Sequence, residues 1–419
     1  MRLPSRIDFP ESKAEFREDL IAGITVAIVA LPLAIGFGIT SGMSAAAGIS
    51  TAIIAGFIAA LLGGSRLQVS GPTGAMTVIL IPVIEKYGAS AIPALGVMAG
   101  FIVVLMGFLK MGTLINKVPH YVIEGFTLGI AIIIALQQLP MALGVAKGAG
   151  ERTLQIAFNT VKSGAFNYAA IAVVICTLLF KFNFERVLRL LRIKAYIPAS
   201  FAALLFGTTV AKVFSLDVKN IGEIPRNVAA FTAPEFTNLN NFLNLIWPAL
   251  MIALLAAIES LLSARVADSM AHIPKEKRLE PDQELFGQGV ATALASIFGG
   301  QPATGAIART SVNVRSLAHS RMAAMVHSLV LLIIILIAAP LFSQIPAAAI
   351  AGVLIGTSIR ILNPANLKEL FRTTNSEIFI YVVTAVSTIA IDLIWGIAIG
   401  ITVHFLLKLR KSRENSKKG

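Results

Sequence analysis

The sequence predicts an all-α, polytopic membrane protein, and three observations carry this prediction. Hydrophobic residues make up 56% of the 419 residues and charged residues only 14%, which is more apolar surface than a soluble core of this size can bury. Apolar runs of about 20 residues, the length of a membrane-crossing helix, follow one another along nearly the whole chain. Ten-residue strands of alternating polarity, which are typical of outer-membrane barrels, are absent from the pattern.

The chain carries a net charge of +13, and the positions of its basic residues indicate a membrane topology. A count of about 14 spans places Arg66, Lys110, Arg321 and the basic tail at 408–419 on the same face as the N-terminus, as the positive-inside rule requires. We therefore expect both termini in the cytoplasm, an inner (plasma) membrane location, contact with anionic lipid and no nucleic-acid partner. The charged first residues lead directly into a full-length span, so no cleavable signal peptide is expected.

The same pattern divides the chain into two membrane halves. We expect a cytoplasmic N-terminal segment at 1–18, a first repeat of seven spans at 19–215, an extracytoplasmic connection at 216–243, a second repeat at 244–408 and a basic cytoplasmic tail at 409–419.

Two polar interruptions of the apolar pattern match each other. GGSRLQVSGPTGAMT at 63–77 and GGQPATGAIART at 299–310 each begin with a glycine pair, pass through a polar segment with a proline and then read Thr-Gly-Ala. Thr73 and Thr304 are offset by 231 residues, about half the chain. Two unrelated loop-to-helix junctions are the alternative. Matched interruptions are typical of transporters built from duplicated halves, so we favour an internal repeat.

Such interruptions predict half-helices that begin at the middle of the membrane. Unwound backbone at that depth has to line a cavity or be buried in protein. A helix that begins there directs its free amide groups and the positive end of its dipole into the cavity, and two such ends form an anion site. The residues QVSG at 68–71 suggest a short strand before each half-helix. A phosphate-binding P-loop is excluded because no Gly-Lys-Ser/Thr follows.

Arg309 lies one turn into the second half-helix, where apolar residues are expected. An arginine within a span usually faces a partner or a water-filled pathway, and here its charge would add to the field of the amide groups. The alternatives are a side chain that reaches the cytoplasmic surface and a structural ion pair with Glu259. Glu259 and Ser263 are four residues apart on one helix face and together could bind sodium or a proton.

Five motifs together resemble the SulP family of sulfate permeases and related anion transporters over almost the whole chain. They are LPLAIGFGITSG at 31–42, SGPTGAMT at 70–77, IESLLSARVADSM at 258–270, DQELFGQGVA at 282–291 and TGAIARTSVNVRS at 304–316.

The resemblance implies fourteen helices in two inverted seven-helix repeats. Spans 1–4 and 8–11 would form a core domain, and the remaining spans a gate domain. The implied activity is secondary active symport of sulfate, bicarbonate or a dicarboxylate by an elevator mechanism, in a homodimer. By position, the substrate contacts would be Phe37, Thr73, Gly74, Ala306, Ile307, Ala308 and Arg309. In the family's bicarbonate transporters, the positions of Glu259 and Ser263 hold sodium, so sodium is a candidate co-substrate beside a proton, and no other cofactor is expected.

Several positions depart from the family's patterns. Leu33 follows Pro32, as an apolar residue does in the bicarbonate transporters, whereas many members have glutamine there. Arg309 instead matches the sulfate and dicarboxylate members. Glu259 is one methylene longer than the acid of the bicarbonate transporters, which favours a proton slightly over sodium. The family usually appends a STAS domain, and we expect this sequence to cover only the membrane domain.

Other functions of the same fold stay open at this point. The alternatives within the family are an anion exchanger, a channel-like anion conductor and a voltage-responsive membrane motor. A nucleobase transporter has a related fold but tends to place an acid where Arg309 stands. An enzyme is not expected, because His120 and His272 lie near span ends without a nucleophile and a carboxylate in their sequence context.

Overall fold

The computed structural model describes residues 5–115, 118–150, 152–190, 198–223, 230–234, 239–274, 278–362, 373–391 and 393–416. Helices dominate this part of the chain. The elements of the first half are α1 (Lys13–Thr40), α2 (Ala45–Leu62), β1 (Ser70–Gly71), α3 (Gly74–Tyr87), α4 (Ile92–Phe108), α5 (Gly112–Ile115), α6 (His120–Gln137), α7 (Leu139–Leu143), α8 (Thr153–Lys162), α9 (Tyr168–Leu190) and α10 (Ala199–Val213).

The second half begins with a long helix and repeats the pattern of a short strand followed by a short helix. Its elements are α11 (Leu239–Met270), α12 (Pro281–Ile297), β2 (Thr304–Gly305), α13 (Ile307–Arg315), α14 (Met322–Phe342), α15 (Ala347–Ile361), α16 (Asn375–Ala390) and α17 (Leu393–Ser416).

Short hydroxyl residues begin the first three long helices. Ser12 accepts a hydrogen bond from the backbone amide of Glu15 at the start of α1, and Ser44 does the same for Ala47 at the start of α2. Thr73 accepts one from Met76 at the start of α3. Each hydroxyl satisfies one of the amides that a helix N-terminus leaves free. Thr73 is therefore the residue that ends the polar interruption and begins the first half-helix.

The two predicted interruptions pair with each other. Strands β1 and β2 form an antiparallel ladder in which Ser70 is opposite Gly305 and Gly71 is opposite Thr304. The prediction of short strands before the two half-helices is thus confirmed. Because α3 and α13 begin within three residues of this ladder, their N-termini meet at one place in the molecule.

The helices pack as two groups. The core group contains α1–α4 and α11–α14, and the gate group contains α6, α7, α9, α10 and α15–α17. Within the core group the backbones of α4 and α12 touch, since a Cβ added to Gly100 would lie 2.5 Å from the carbonyl oxygen of Gly289. Contacts between the groups run mainly from α1 to α15 and α10 and from α3 to α6. This division agrees with the core and gate domains that the resemblance implies.

Six helices of the described residues are long and apolar enough to cross a membrane. Three shorter apolar helices are α10, α15 and α16. The number of spans and the repeat boundaries stay predictions. The predicted connection at 216–243 includes 224–229 and 235–238, and the predicted tail at 409–419 includes 417–419, which lie outside the described residues.

Two basic residues of the predicted inner face gather around one buried acid. Asp8 is fully buried, and its Oδ1 lies 3.1 Å from Nη2 of Arg321 and 3.7 Å from Nη2 of Arg66. Arg321 also donates to the carbonyl oxygens of Ala60 and Gly63 at the end of α2. The segment before α1 is thereby attached to the core group.

Candidate functional site

The starts of α3 and α13 are joined by more than the two-residue ladder. The backbone amide of Ala306 donates to the carbonyl oxygen of Val69 at 3.0 Å. The amide of Val69 in turn donates to Oγ1 of Thr310, in the first turn of α13, also at 3.0 Å. These bonds hold the second half-helix directly against the strand that leads into the first. Two sets of free amide groups, each at the positive end of a helix, are therefore brought together.

Phe37, Thr73 and Gly74 lie together at the first of these two ends. The space beside Gly74 is filled by Ile134 of α6, and the Cε1 atom of Phe37 would lie 3.1 Å from a Cβ added there. Phe37 is buried, with 8% of its surface exposed, and Thr73 is half-buried. The predicted aromatic wall is thus in contact with the first half-helix, and glycine is required at position 74 by the approach of α6.

One face of α11 touches both half-helices. The hydroxyl of Thr73 donates to Oε2 of Glu259 at 3.2 Å, which links α11 to the start of α3. Ser260 Oγ accepts from the amide of Gly305 at 3.0 Å and lies 3.1 Å from Oγ1 of Thr304. Ser263 Oγ lies 3.0 Å from Oγ1 of Thr310, one turn into α13.

The predicted pair of Glu259 and Ser263 therefore serves two different partners. No hydrogen bond joins the two side chains among the described residues, and Ser263 is fully buried while Glu259 is half-buried. Within the same ranges, no group of three or more His, Cys, Asp or Glu side chains is placed to hold a metal ion. A sodium site at this pair would have to use one carboxylate together with hydroxyl and carbonyl oxygens, and it stays a prediction.

Arg309 lies behind the first strand. Its side chain is 2% exposed, and its Nη2 donates to the carbonyl oxygen of Pro72 at 2.6 Å. Its Nη1 occupies the place where Gly71 would carry a Cβ and has no hydrogen-bond partner among the described residues. Burial argues against the alternative in which this arginine reaches the cytoplasmic surface.

The structure also argues against the alternative of a structural ion pair between Arg309 and Glu259. Among the described side chains no ion pair joins Arg309 to Glu259, although the two charges interact through space. The guanidinium group of Arg309 thus places a positive charge next to the junction of the two half-helices, against Gly71 and Pro72. Of the other predicted contacts at the start of α13, Ala306 is buried and Ile307 and Ala308 are half-buried.

Reasoning from the sequence missed the residues that hold the junction together, above all Gln288 of α12. Its Oε1 accepts from the hydroxyl of Ser70 at 2.7 Å, and its Nε2 donates to the carbonyl oxygen of Ala303 at 2.9 Å. One fully buried amide side chain therefore bridges the two strand segments. Gln288 belongs to the motif DQELFGQGVA, so its motif was recognised but its role was not.

Glu284, one turn before Gln288, holds the loop that leads into β1. Its Oε2 accepts from the amides of Gly64 and Ser65, both at 2.9 Å, and its Oε1 accepts from Nε2 of Gln68 at 2.7 Å. The three donors explain how a carboxylate can be almost completely buried at this point. The polar side of α12 is thus a scaffold for the first interruption.

Comparison with known proteins gives the family of the chain. The sulfate permease family matches residues 16–384. The putative sulfate transporter YvdB of Bacillus subtilis is 38% identical over 410 residues, which are 96% of this chain and 75% of that protein. The bicarbonate transporter BicA of Picosynechococcus sp. is 32% identical over 429 residues, which are 98% of this chain and 72% of that protein.

Solved structures show the same fold. The transmembrane domain of a cyanobacterium bicarbonate transporter BicA superposes with a TM-score of 0.82 at 31% identity, covering 91% of this chain and 97% of that one. The murine Slc26a9 anion transporter in the inward-facing state gives a TM-score of 0.83 at 17% identity, which shows the fold alone, over 96% of this chain and 70% of that one. The resemblance stated from five motifs is confirmed, and the chain belongs to the sulfate permease family, a family of multi-pass membrane transporters and not of enzymes.

Proposed function

We propose that this protein transports a small oxyanion that binds between the N-termini of α3 and α13. The observation that carries the proposal is the meeting of two half-helix starts above the buried guanidinium group of Arg309. Free amide groups, two helix dipoles and one full positive charge all favour a negative ligand at this point. The relatives named as sulfate and bicarbonate transporters support the same class of substrate.

Among small oxyanions, sulfate is the substrate we favour. Arg309 supplies a positive charge in addition to the two helix ends, and one of its nitrogen atoms lacks a hydrogen-bond partner among the described residues. A divalent anion gains more from this field than a monovalent one, because the interaction energy scales with the ligand's charge. Bicarbonate and dicarboxylates are the competing substrates.

For the transport step we propose an elevator movement in which the core group slides along the gate group. At two of the contacts between the groups, the residue on the core side is a glycine. A Cβ added to Gly36 of α1 would lie 2.6 Å from Cδ1 of Leu354, and Gly74 of α3 lies against Ile134. These contacts are apolar, so that sliding breaks no hydrogen bond at either position. The substrate junction, which is built within the core group, would move as one piece.

Accumulation of the anion requires a source of energy. An anion entering a cell with a negative interior works against about 2.3 kcal/mol per charge per 100 mV. We propose that Glu259 carries a proton or, with Ser263, a sodium ion, which offsets one of the two negative charges of sulfate and brings in the energy of its own gradient. The hydrogen bond from Thr73 supports this role, because the same hydroxyl also caps α3 at the anion site. Binding at Glu259 can thereby change the geometry of the substrate junction.

The orientation in the membrane follows the positive-inside rule. We propose that both termini face the cytoplasm across the plasma membrane, with Arg66 and Arg321 on the inner face and the ends of α1 and α3 on the outer face. A homodimer, as the family resemblance implies, is part of the same proposal. No further cofactor is invoked.

Uptake into proteoliposomes tests the substrate class. Vesicles that contain the purified protein should accumulate labelled sulfate faster than empty vesicles, and bicarbonate, a dicarboxylate and uracil serve as competitors. We expect bicarbonate and the dicarboxylate to compete with labelled sulfate for uptake and uracil to have no effect. Uptake of uracil without uptake of any anion would contradict the proposal. Electrical currents that never saturate with sulfate concentration would point to a channel-like conductor instead.

A further inference from the structure

A cavity of about 600 Å³ lies between the core group and the gate group, and on α3 its lining begins one helical turn beyond the start of the helix, at Val78. Its core-side wall is formed by α3 and by parts of α1 and α11, and its gate-side wall by the ends of α6 and α16 and by α7 with the segment that follows it. None of the predicted substrate contacts lines it. Its volume is in the range of pockets that hold drug-sized ligands, which is far more than a small inorganic anion needs.

The cavity combines apolar walls with cations on opposite sides. Most of the lining residues are apolar side chains, including Trp247 of α11. Lys86 lines it from α3, and Lys147 and Arg152 line it from the gate side. No acidic residue is among the described residues that line it.

The charge balance of the cavity is positive. Glu85, which lies beside it, forms an ion pair with Lys147 and neutralises that charge. Lys86 is exposed and lies 5.0 Å from the centre of the Tyr87 ring, and Arg152 is exposed with one contact, at 3.4 Å, to the carbonyl oxygen of Ala390. Two cations on opposite walls, Lys86 of α3 and Arg152 at the start of α8, are therefore available to a ligand.

We propose that this cavity is a second binding site, which takes an amphipathic organic anion. The apolar walls would bury the ligand's aromatic or aliphatic body, and an acidic group at its end would lie between Lys86 and Arg152. A strongly hydrated inorganic anion gains nothing from the apolar walls, and a neutral apolar molecule gains nothing from the cations. Since its walls belong to both helix groups, the bound ligand bridges the core and the gate. The proposal does not depend on which small anion the protein transports.

Energy transfer from Trp247 to a fluorescent aryl sulfonate tests the proposal directly. The chain has two tryptophans, so that Trp395→Phe leaves Trp247 as the only donor. This variant in liposomes of zwitterionic lipid, which add no tryptophan, is titrated with dansylate, an anion, and with dansylamide, its neutral counterpart. We expect saturable sensitised emission with dansylate and at least about tenfold weaker binding of dansylamide, as loss of two charge contacts would give.

Matched substitutions assign the binding to the cavity. Lys86→Gln with Arg152→Gln should weaken dansylate binding about tenfold while leaving the Lys147 ion pair intact. Lys162→Gln with Lys219→Gln removes two exposed cations that do not line the cavity, and it should change nothing. Equal binding of the two probes, or full affinity in the first double variant, would overturn the proposal. A loss of dansylate binding in Arg309→Ala but not in the first double variant would also overturn it, since the probe would then bind at the half-helices.

Discussion

Arg309 is a buried charge, and its Nη1 atom has no hydrogen-bond partner among the described residues. A guanidinium group within a membrane protein is costly unless hydrogen bonds or counter-charges compensate it. In the part of the chain that the structure describes, this one makes a single hydrogen bond, from Nη2 to the carbonyl oxygen of Pro72. Glu259 acts on it only through space. An anion at the half-helix junction would complete its compensation, which gives a physical reason for an arginine at this position.

Replacing Arg309 by alanine should weaken sulfate binding by about 1.5–3 kcal/mol, because a charge-assisted interaction at a desolvated site is lost. Lysine should restore only part of this, since it lacks the planar donor group. Equilibrium binding of labelled sulfate to the purified variants measures the effect.

Arg315→Ala is the matched control for this substitution, because Arg315 is exposed at the end of the same helix. It should leave sulfate affinity unchanged. Normal affinity in a well-folded Arg309→Ala protein would show that the arginine only anchors the strand through Pro72.

Glu259 connects the energy source to the substrate junction through one hydroxyl group. In Glu259→Gln the side chain keeps its shape and can still accept from Thr73, but it carries no charge and takes up no proton. We expect uptake down the sulfate gradient to persist and accumulation under an imposed proton or sodium gradient to be lost. Uptake is measured with each gradient alone, which also identifies the coupling ion.

Glu185→Gln is a suitable control for the carboxylate, since Glu185 is exposed on α9 of the gate group. Concentrative uptake under either gradient in Glu259→Gln would remove Glu259 from the coupling step. Exchange of one anion for another would then explain accumulation better.

The two half-helices are short elements that depend on their neighbours. An isolated helix of nine residues such as α13 is marginal by itself, so its start has to be held by tertiary contacts. Gln288 provides such a contact on both strands at once. We therefore regard α12 as the element that sets the distance between the two anion-binding helix ends.

Substituting Gln288 by leucine should leave the Ser70 hydroxyl and part of the Ala303 carbonyl without a partner, at about 1–3 kcal/mol for an unsatisfied buried group. We expect sulfate affinity to fall as well as thermal stability. Thr292→Val is the control on the same helix, because Gln288 still serves the Ala303 carbonyl when the Thr292 hydroxyl is gone. Equal loss of affinity in both variants at equal stability would argue against a positioning role for Gln288.

The interruptions themselves could be predicted from the sequence, but their pairing could not. Glycine pairs, prolines and hydroxyls break the apolar pattern at 63–77 and 299–310, and each break is visible locally. The register that places Ser70 opposite Gly305 depends on residues more than 200 positions apart and on the polar side of α12. Such contacts leave no periodic signal in a single sequence. The hydrogen bond between Ser263 and Thr310 likewise joins residues 47 positions apart, and the sequence alone does not show it.

The division of the molecule into core and gate groups is the property on which transport would depend. Composition and span length predicted the membrane class, whereas the two groups were expected only from the family resemblance. Their physical basis is that backbones approach each other within the core group, as at Gly100 and Gly289, whereas the contacts between the groups at Gly36 and Gly74 are made with apolar side chains. A core built in this way can carry a bound anion without changing its own geometry.

Protection of a cysteine at the junction tests the binding place of the anion most directly. The chain has one cysteine, so Cys176→Ser gives a cysteine-free background. In it, Ala308→Cys is in the first turn of α13, and Val78→Cys lines the cavity between the groups as a control. We predict that sulfate slows modification of position 308 by a small thiosulfonate, with half-protection at its Michaelis constant, and leaves position 78 unaffected. Modification of position 308 at the same rate with and without saturating sulfate would contradict binding between the half-helices.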